Sequence, residues 1–378
     1  MTGPPAEEWP LSLASGAAGI ALMHLARGSP DVVSHRWLQE ATATGLQDAT
    51  GRSGLFHGLP AVAYLLVHAP HQHYRSARAT VLDQMRMLVR ARLQMAHARI
   101  DRGDPASFGE YDLVSGLTGV AVALWHCSPS DPLLEHILIY LVRLTHPIQL
   151  RGQEFPGWWV HHPPDTGATA AEFPLGHANL GMAHGAAGVL ALLALTYRFG
   201  VQVSGHAEAI SRICATLDCW RCQDHSRTWW PPWISTPIPE PTPHPGAPTW
   251  CYGTAGLARA QQLAGLALHD PGRQRLAESA MYTCLDDQEQ TSLLTTPGLC
   301  HGTAGIAQTL ERMMQDQSSR PDGFDLRRHQ TFLRKRLTAG SPAVSTPGLL
   351  NGAAGIALVA ETPTLSRALL WDRFLLLI

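Results

Sequence analysis

The feature that most constrains this 378-residue chain is a recurring pair of small residues spaced one helical turn apart. Ser15-Gly16-Ala17-Ala18-Gly19 is followed by His57-Gly58-Leu59-Pro60-Ala61, Ser115-Gly116-Leu117-Thr118-Gly119 and His184-Gly185-Ala186-Ala187-Gly188. Tyr252-Gly253-Thr254-Ala255-Gly256, His301-Gly302-Thr303-Ala304-Gly305 and Asn351-Gly352-Ala353-Ala354-Gly355 complete the set. The leading glycines stand at 16, 58, 116, 185, 253, 302 and 352, at intervals of 42 to 69 residues. Self-similarity at such a period marks stacked supersecondary units. An apolar run such as 189–195 follows each copy, and a second amphipathic stretch usually separates the copies, as at 79–89 and 133–141. Apolar residues at three- and four-residue steps make both stretches helical.

The unit is therefore a helical hairpin. Small residues one turn apart leave a groove that lets neighbouring helices approach. Ser15, Ser115 and Asn351 stand where N-caps belong, offering side-chain oxygens to orphan backbone N–H groups. Seven hairpins can stack as an open solenoid or close into a ring. Closure puts the glycine-rich helices inside and the amphipathic ones outside, and gathers the residues before each glycine pair at one end. The expected fold is all-α, an α/α toroid (double α-barrel) of seven helical hairpins. No sustained strand alternation is present. Residues 151–183, with Trp158-Trp159, and 223–249, with Trp229-Trp230-Pro231-Pro232-Trp233, interrupt the repeat. Long ordered loops tend to be functional. These two read either as a groove for a peptide or as a lid packed over the barrel mouth. Residues 316–345 read as a surface connection plus one outer helix.

Cys251, Cys300 and His301 occupy matching places in the fifth and sixth turns. Zinc takes such borderline-soft ligands, and catalytic sites commonly keep a fourth position open beside three protein ligands. The alternative is small residues buried at helix ends, which two cysteines at equivalent repeat positions disfavour. His184, at the matching position of the fourth turn, reads as a fourth ligand or as a general acid/base near neutral pH. Asp112 lies four residues before Gly116, as a site acid or a cap. Tyr252 offers a phenol to the same centre, as a donor or as a packing aromatic. His57 has a similar place in the degenerate second copy and reads more readily as packing. A rival cluster, Cys219-Trp220-Arg221-Cys222 with Cys214 and His225, has local metal or redox spacing but falls between repeats.

Only 15% of residues are charged and the formal net charge is −2, with no block of like charge, so nucleic acid and anionic membrane surfaces have no electrostatic support. The first eight residues lack a signal-peptide pattern and no apolar run reaches the ~18 residues of a membrane span. A soluble cytoplasmic protein is expected, in which seven cysteines serve as thiols rather than disulfides. Cys127 and Cys284 read as buried hydrophobes.

The motifs Gly181-Met182-Ala183-His184-Gly185, Trp250-Cys251-Tyr252-Gly253, Cys300-His301-Gly302 and Leu349-Leu350-Asn351-Gly352-Ala353-Ala354-Gly355 together resemble the lanthionine synthetase C-like (LanC) family of lantibiotic cyclases. The resemblance covers residues 1–378 as one domain. It implies an α/α toroid and one zinc ion held by Cys251, Cys300 and His301. His184 and Asp112 match the family's acid/base pair, and Tyr252 its active-site tyrosine. The implied reaction adds a peptide cysteine thiol to dehydroalanine or dehydrobutyrine, forming a thioether ring. The implied partners are a dehydrated precursor peptide, a separate dehydratase and an exporter in a membrane-associated complex. Dehydration is expected elsewhere, because no kinase or lyase segment is evident. Cyclases of this kind can carry an arginine four residues before the first zinc cysteine; here that residue is Ala247, with His244 as a candidate substitute. A non-catalytic zinc protein that binds thiols or a partner enzyme is the alternative. A glycan-processing toroid would need a carboxylate partner for Asp112 that the turns do not offer.

Overall fold

Each glycine-rich copy opens a helix, and its first glycine is the residue at the helix N-terminus. The computed structural model describes residues 9–43, 45, 53–70, 72–164, 167, 169–224, 227–236, 244–317, 326–338, 346–362 and 370–378. Within them, seven glycine-led helices alternate with six other long ones, and two short helices, Phe108–Tyr111 and Gln288–Ser292, lie in the connections. The glycine-led set is α1 (Ala17–Ala26), α3 (Leu59–His68), α5 (Leu117–Cys127), α7 (Ala186–Arg198), α9 (Thr254–Ala267), α11 (Thr303–Gln315) and α13 (Ala353–Glu361). Between them lie α2 (Asp31–Ala41), α4 (Arg75–Arg102), α6 (Pro132–Leu144), α8 (His206–Cys219), α10 (Pro271–Asp286) and α12 (Leu326–Thr338).

The odd-numbered helices pack each against the next, and α13 returns to α1, so they close a ring; each even-numbered helix packs outside the one before it. The fold is an α/α toroid. Segment 363–369, where a seventh outer helix would lie, falls outside the described residues. The sequence explains which helix goes where. From Ala186 to Thr196 every residue of α7 is buried, as suits a helix enclosed on all sides, whereas α6 buries one stripe.

The glycine spacing closes the ring through side-chain knobs. The residue three before each leading glycine is Leu13, Leu55, Leu113, Met182, Trp250, Leu299 or Leu349, and all seven are at most 1% exposed. A Cβ added at Gly119 would stand 2.8 Å from Leu55, at Gly305 3.3 Å from Trp250, and at Gly19 2.8 Å from Leu349. The knob of one turn thus fills the groove of the next, and the seventh fills the first. Burying each such side chain stabilises the fold by about 1.5–3 kcal/mol. A chain of main-chain hydrogen bonds runs beside the knobs. Leu13 N donates to Phe56 O, Phe56 N to Val114 O, Leu113 N to Ala183 O, and Ala183 N to Cys251 O. Cys251 N then donates to Cys300 O, Cys300 N to Leu350 O, and Leu350 N to Ala14 O. Adjacent turns are stitched all the way round.

The expected side-chain caps do not form. Ser15, Ser115 and Asn351 precede the N-terminal glycines, and none of those helices has a side-chain cap bond. Carbonyls from the approaching chain serve instead: Gly119 N donates to Asp112 O, Gly256 N to Thr249 O and Gly305 N to Gly298 O. This wrapping explains the first glycine, since a Cβ at Gly116 would lie 2.2 Å from Asp112 N.

The two insertions contain short strands that periodicity did not foreshadow. His177–Asn179 pairs antiparallel with Trp233–Ser235, joining one insertion to the other just ahead of the fourth turn. Val160 and His177 exchange both backbone hydrogen bonds at 2.9 Å. Trp158, Trp159, Trp229 and Trp230 are all 2–4% exposed, so these tryptophans pack into the protein rather than line an open groove.

The C-terminal segment fills the ring. Asp372 is fully buried and takes two bonds from Arg312 at 2.7 Å and one from Gln308 at 2.5 Å. Tyr64 donates to Trp371 O at 2.9 Å, Trp250 Nε1 to Leu375 O at 3.0 Å, and Arg259 Nε to Leu377 O at 2.9 Å. Arg373 lies over Trp125 and donates to His126 Nδ1 at 3.1 Å. That leaves His126 with its hydrogen on Nε2, directed at His68 Nε2 3.2 Å away. Burial holds the two imidazoles neutral, with pKa values lowered to about 4 for His68 and about 3 for His126. No described helix is long and apolar enough to cross a membrane.

Candidate metal centre

Four consecutive turns of the ring, the third to the sixth, bring their pre-glycine residues together. Cys251 and Cys300 are equivalent residues, two before Gly253 and Gly302, and the bond from Cys251 N to Cys300 O (3.2 Å) fixes one turn against the other. His301 follows directly. The two Sγ atoms and a His301 ring nitrogen all lie within 4.8 Å of one another. Tetrahedral zinc with Zn–S of about 2.3 Å and Zn–N of about 2.0–2.1 Å needs ligand atoms roughly 3.3–3.8 Å apart, so modest closure suffices. Cys251 is buried, while Cys300, His301, His184 and Tyr252 are half-buried. The centre is therefore partly open to solvent.

The protonation chemistry fits a cation. A hydrogen bond from the Cys300 thiol, and a further one from His301, hold Cys251 well below the usual thiol range despite its burial. Cys300 must then ionise beside an existing thiolate and is pushed well up. The hydrogen bond to Cys251 raises His301 against the effect of burial. Two thiolates side by side are unstable in a buried site without a compensating charge, which a divalent ion would supply.

His184 lies at the neighbouring turn. Its Nδ1 is 2.5 Å from Asp112 Oδ2. Asp112 is 1% exposed, and its other oxygen accepts from Ser115 N (2.7 Å) and Gly116 N (2.8 Å). The carboxylate is thus anchored by main chain and takes the imidazole hydrogen on Nδ1, which leaves His184 Nε2 as the nitrogen Asp112 does not hold. Burial opposes charge on the ring, but the charge and hydrogen bond of Asp112 outweigh it, and the His184 pKa stands above its ordinary value. Phe108 stacks on the ring at 5.4 Å and 29°, and Tyr111 donates to His184 O at 3.2 Å. Tyr252 is also close, its ring centroid 6.1 Å from that of His184. Burial and the nearby Cys251 push its phenol well up, so it remains a donor. Gly181 makes room for this ring, because a Cβ there would stand 2.8 Å from Tyr252 Cδ1.

The structure thus gathers Cys251, Cys300, His301, His184, Asp112 and Tyr252. It does not gather the other candidates. His57 pairs by backbone with Ser12 and Gly54 and lies outside the ligand group. Cys214, Cys219 and Cys222 are free thiols that form no ligand group among the described residues, and His225 lies outside those residues. His244 is exposed, and among the described residues no hydrogen bond or ion pair joins it to the site. Ala247 contributes only its carbonyl, to Thr249 N at 2.8 Å. Sequence reasoning missed Phe108 and Thr249. The latter's Oγ1 lies 3.6 Å from Cys251 Sγ, and the available signal was its place in the repeat, four before the leading glycine, where Asp112 stands in the third turn.

The model of a family described as "Lanthionine synthetase C-like protein" matches residues 7–376. Among solved structures, nisin cyclase superposes with a TM-score of 0.78 at 20% identity, over 98% of this chain and 92% of that one. No curated protein matches the chain by sequence.

Proposed function

The chain belongs to the lanthionine synthetase C-like family, and from that premise we propose that it is a zinc-dependent lanthipeptide cyclase. The observation that carries this reading is the Cys251–Cys300–His301 group beside the His184–Asp112 pair. Cys251, Cys300 and His301 would hold one zinc ion, whose chemistry when bound is to stabilise a substrate thiol as its thiolate at neutral pH.

The substrate is a peptide that carries a cysteine and a dehydroalanine or dehydrobutyrine. The sulfur adds to the β-carbon, the alkene electron pair moves onto the adjoining carbonyl, and the enolate takes a proton at Cα. The net change is addition of S–H across C=C, so no oxidant or co-reactant is needed. His184 is the proton carrier: Asp112 fixes its Nδ1–H, and Nε2 accepts the thiol proton and returns one to Cα. Half-burial and stacking on Phe108 limit water around the His184 ring. Tyr252, protonated at neutral pH, donates toward the same region. The dehydrated precursor comes from a separate dehydratase, and with an exporter the two form the partners of a membrane-associated complex.

Metal analysis combined with free-thiol titration tests the reading. The purified protein is incubated with a Cys-containing peptide bearing dehydroalanine. About one zinc per chain and progressive thiol loss without mass change are expected, both abolished by Cys300→Ala. Zinc without thiol loss would instead favour a non-catalytic protein that binds thiols or a partner enzyme.

A further inference from the structure

The position four residues before the leading glycine is Ser12 in the first turn, Asp112 in the third and Thr249 in the fifth. Each uses a side-chain oxygen in the same way, to accept the N–H three residues on. Ser15 N lies 3.1 Å from Ser12 Oγ, Ser115 N 2.7 Å from Asp112 Oδ1, and Tyr252 N 3.3 Å from Thr249 Oγ1. The shared bond leaves each residue one polar function to direct elsewhere. Ser12 directs it to Ser15 Oγ. Asp112 directs Oδ2 to His184. Thr249 has its hydroxyl hydrogen, and the neighbour in reach is Cys251 Sγ at 3.6 Å.

The direction of that contact follows from the inventory of donors. Thr249 Oγ1 already accepts an N–H, so its own hydrogen is available to donate, and a thiolate can only accept. The side chain is held to this task. Thr249 is 7% exposed, its N donates to Ala247 O at 2.8 Å, and its O accepts from Gly253 N and Gly256 N at 3.1 and 3.3 Å.

We propose that Thr249 is a positioning residue of the metal centre, the fifth turn's counterpart of Asp112, whose hydroxyl orients Cys251 Sγ and draws negative charge from it. This rests on the reading of Cys251 as a metal ligand. Charge-assisted hydrogen bonds to a ligand fix its direction and its donor strength. Here the effect is to relieve repulsion where two protein thiolates, and a third from substrate, crowd one buried point.

Two substitutions separate the hydroxyl from the shape. Thr249→Val keeps the branched shape and loses the O–H; Thr249→Ser keeps the O–H and loses the methyl. Zinc affinity is read by competition with a chromophoric chelator, and the sulfur-to-metal charge-transfer band is read after cobalt(II) loading. Metal-free melting curves give the folding baseline. The expected result is a 10- to 100-fold weaker zinc affinity for the Val variant, with its cobalt band at lower energy, and wild-type behaviour for Ser. A Val variant with wild-type affinity and band, or a Ser variant as impaired as Val, overturns the inference and leaves the metal centre standing. A wild-type chain that takes up neither ion overturns both.

Discussion

Asp112→Asn is the substitution that most directly examines the proposed proton carrier. The amide can still present its oxygen to Ser115 N and Gly116 N, which now sit 2.7 and 2.8 Å from Asp112 Oδ1. Those two bonds to a charged, 1%-exposed group contribute about 1.5–3 kcal/mol each, and most of that anchoring survives as Asn but not as Ala. What changes is the second contact. An amide NH2 placed where Oδ2 stands donates to His184 Nδ1 instead of accepting from it. The imidazole hydrogen must move to Nε2, and the lone pair that would receive the thiol proton is gone. The analogous tautomer inversion in a Ser–His–Asp triad lowers kcat about 10⁴-fold, and a positioned acid/base is generally worth about 10²–10⁴. A loss of that order in the single-turnover rate of thioether formation is expected, followed by thiol loss on a dehydroalanine peptide. Zinc content should be unchanged. The pH dependence has a definite sign. Because Asp112 raises the His184 pKa above the unfolded value of about 6.5, the pair stabilises the fold fully below that value and its contribution disappears as pH rises through the raised one. The stability gap between wild type and the Asn variant should therefore be widest in mild acid and narrow toward alkaline pH. A variant that forms rings at the wild-type rate, with an unaltered gap across pH, would refute the role given to the pair.

Two further expectations concern the frame. Gly305→Ala would place a Cβ 2.0 Å from Leu299 O and 3.3 Å from Trp250 Cβ, a backbone clash that should cost about 3 kcal/mol or more in denaturant unfolding, whereas Gly246→Ala meets nothing within 4 Å and should stay within about 0.5 kcal/mol. Asp372→Ala would leave Arg312 and Gln308 without their acceptor inside the ring, at about 3–5 kcal/mol; a thermal melt lowered by far less would show that the C-terminal segment does not lock the barrel.

What was legible in the sequence was what repeats. Glycines at fixed places announce helix starts because the chain folding back over its own helix crowds both of them, and the knob of the preceding turn presses on the second as well. The candidate site residues were legible for the same reason, since Cys251 and Cys300 share a repeat position and His184 and His301 another. Side-chain capping was misread at Ser15, Ser115 and Asn351 because the carbonyls that replace it come from the wrapped chain seven or eight residues upstream, which composition does not reveal. The pairing of His177–Asn179 with Trp233–Ser235 escaped notice because three-residue strands carry too few alternations to register and their partners are far apart in sequence. The C-terminal segment escaped for a related reason. Residues 371–377 bond to groups as distant as Tyr64, Trp125, His126, Trp250, Arg259, Gln308 and Arg312, and no local pattern encodes such contacts.

The stitched circuit of turns has a consequence for how the chain comes into being. The joint between Leu350 N and Ala14 O unites residues from opposite ends of the sequence. A ribosome adding ~5–20 residues per second emits the second partner roughly 15–70 s after the first. Throughout that interval the nascent chain carries an open edge and a row of apolar helices with one flank uncovered, a state that invites chaperones or aggregation. A linear repeat array can lose an end unit and remain an array. Here the excision of any one hairpin breaks two joints at once, so shortened forms of this protein should fail as a whole rather than shrink.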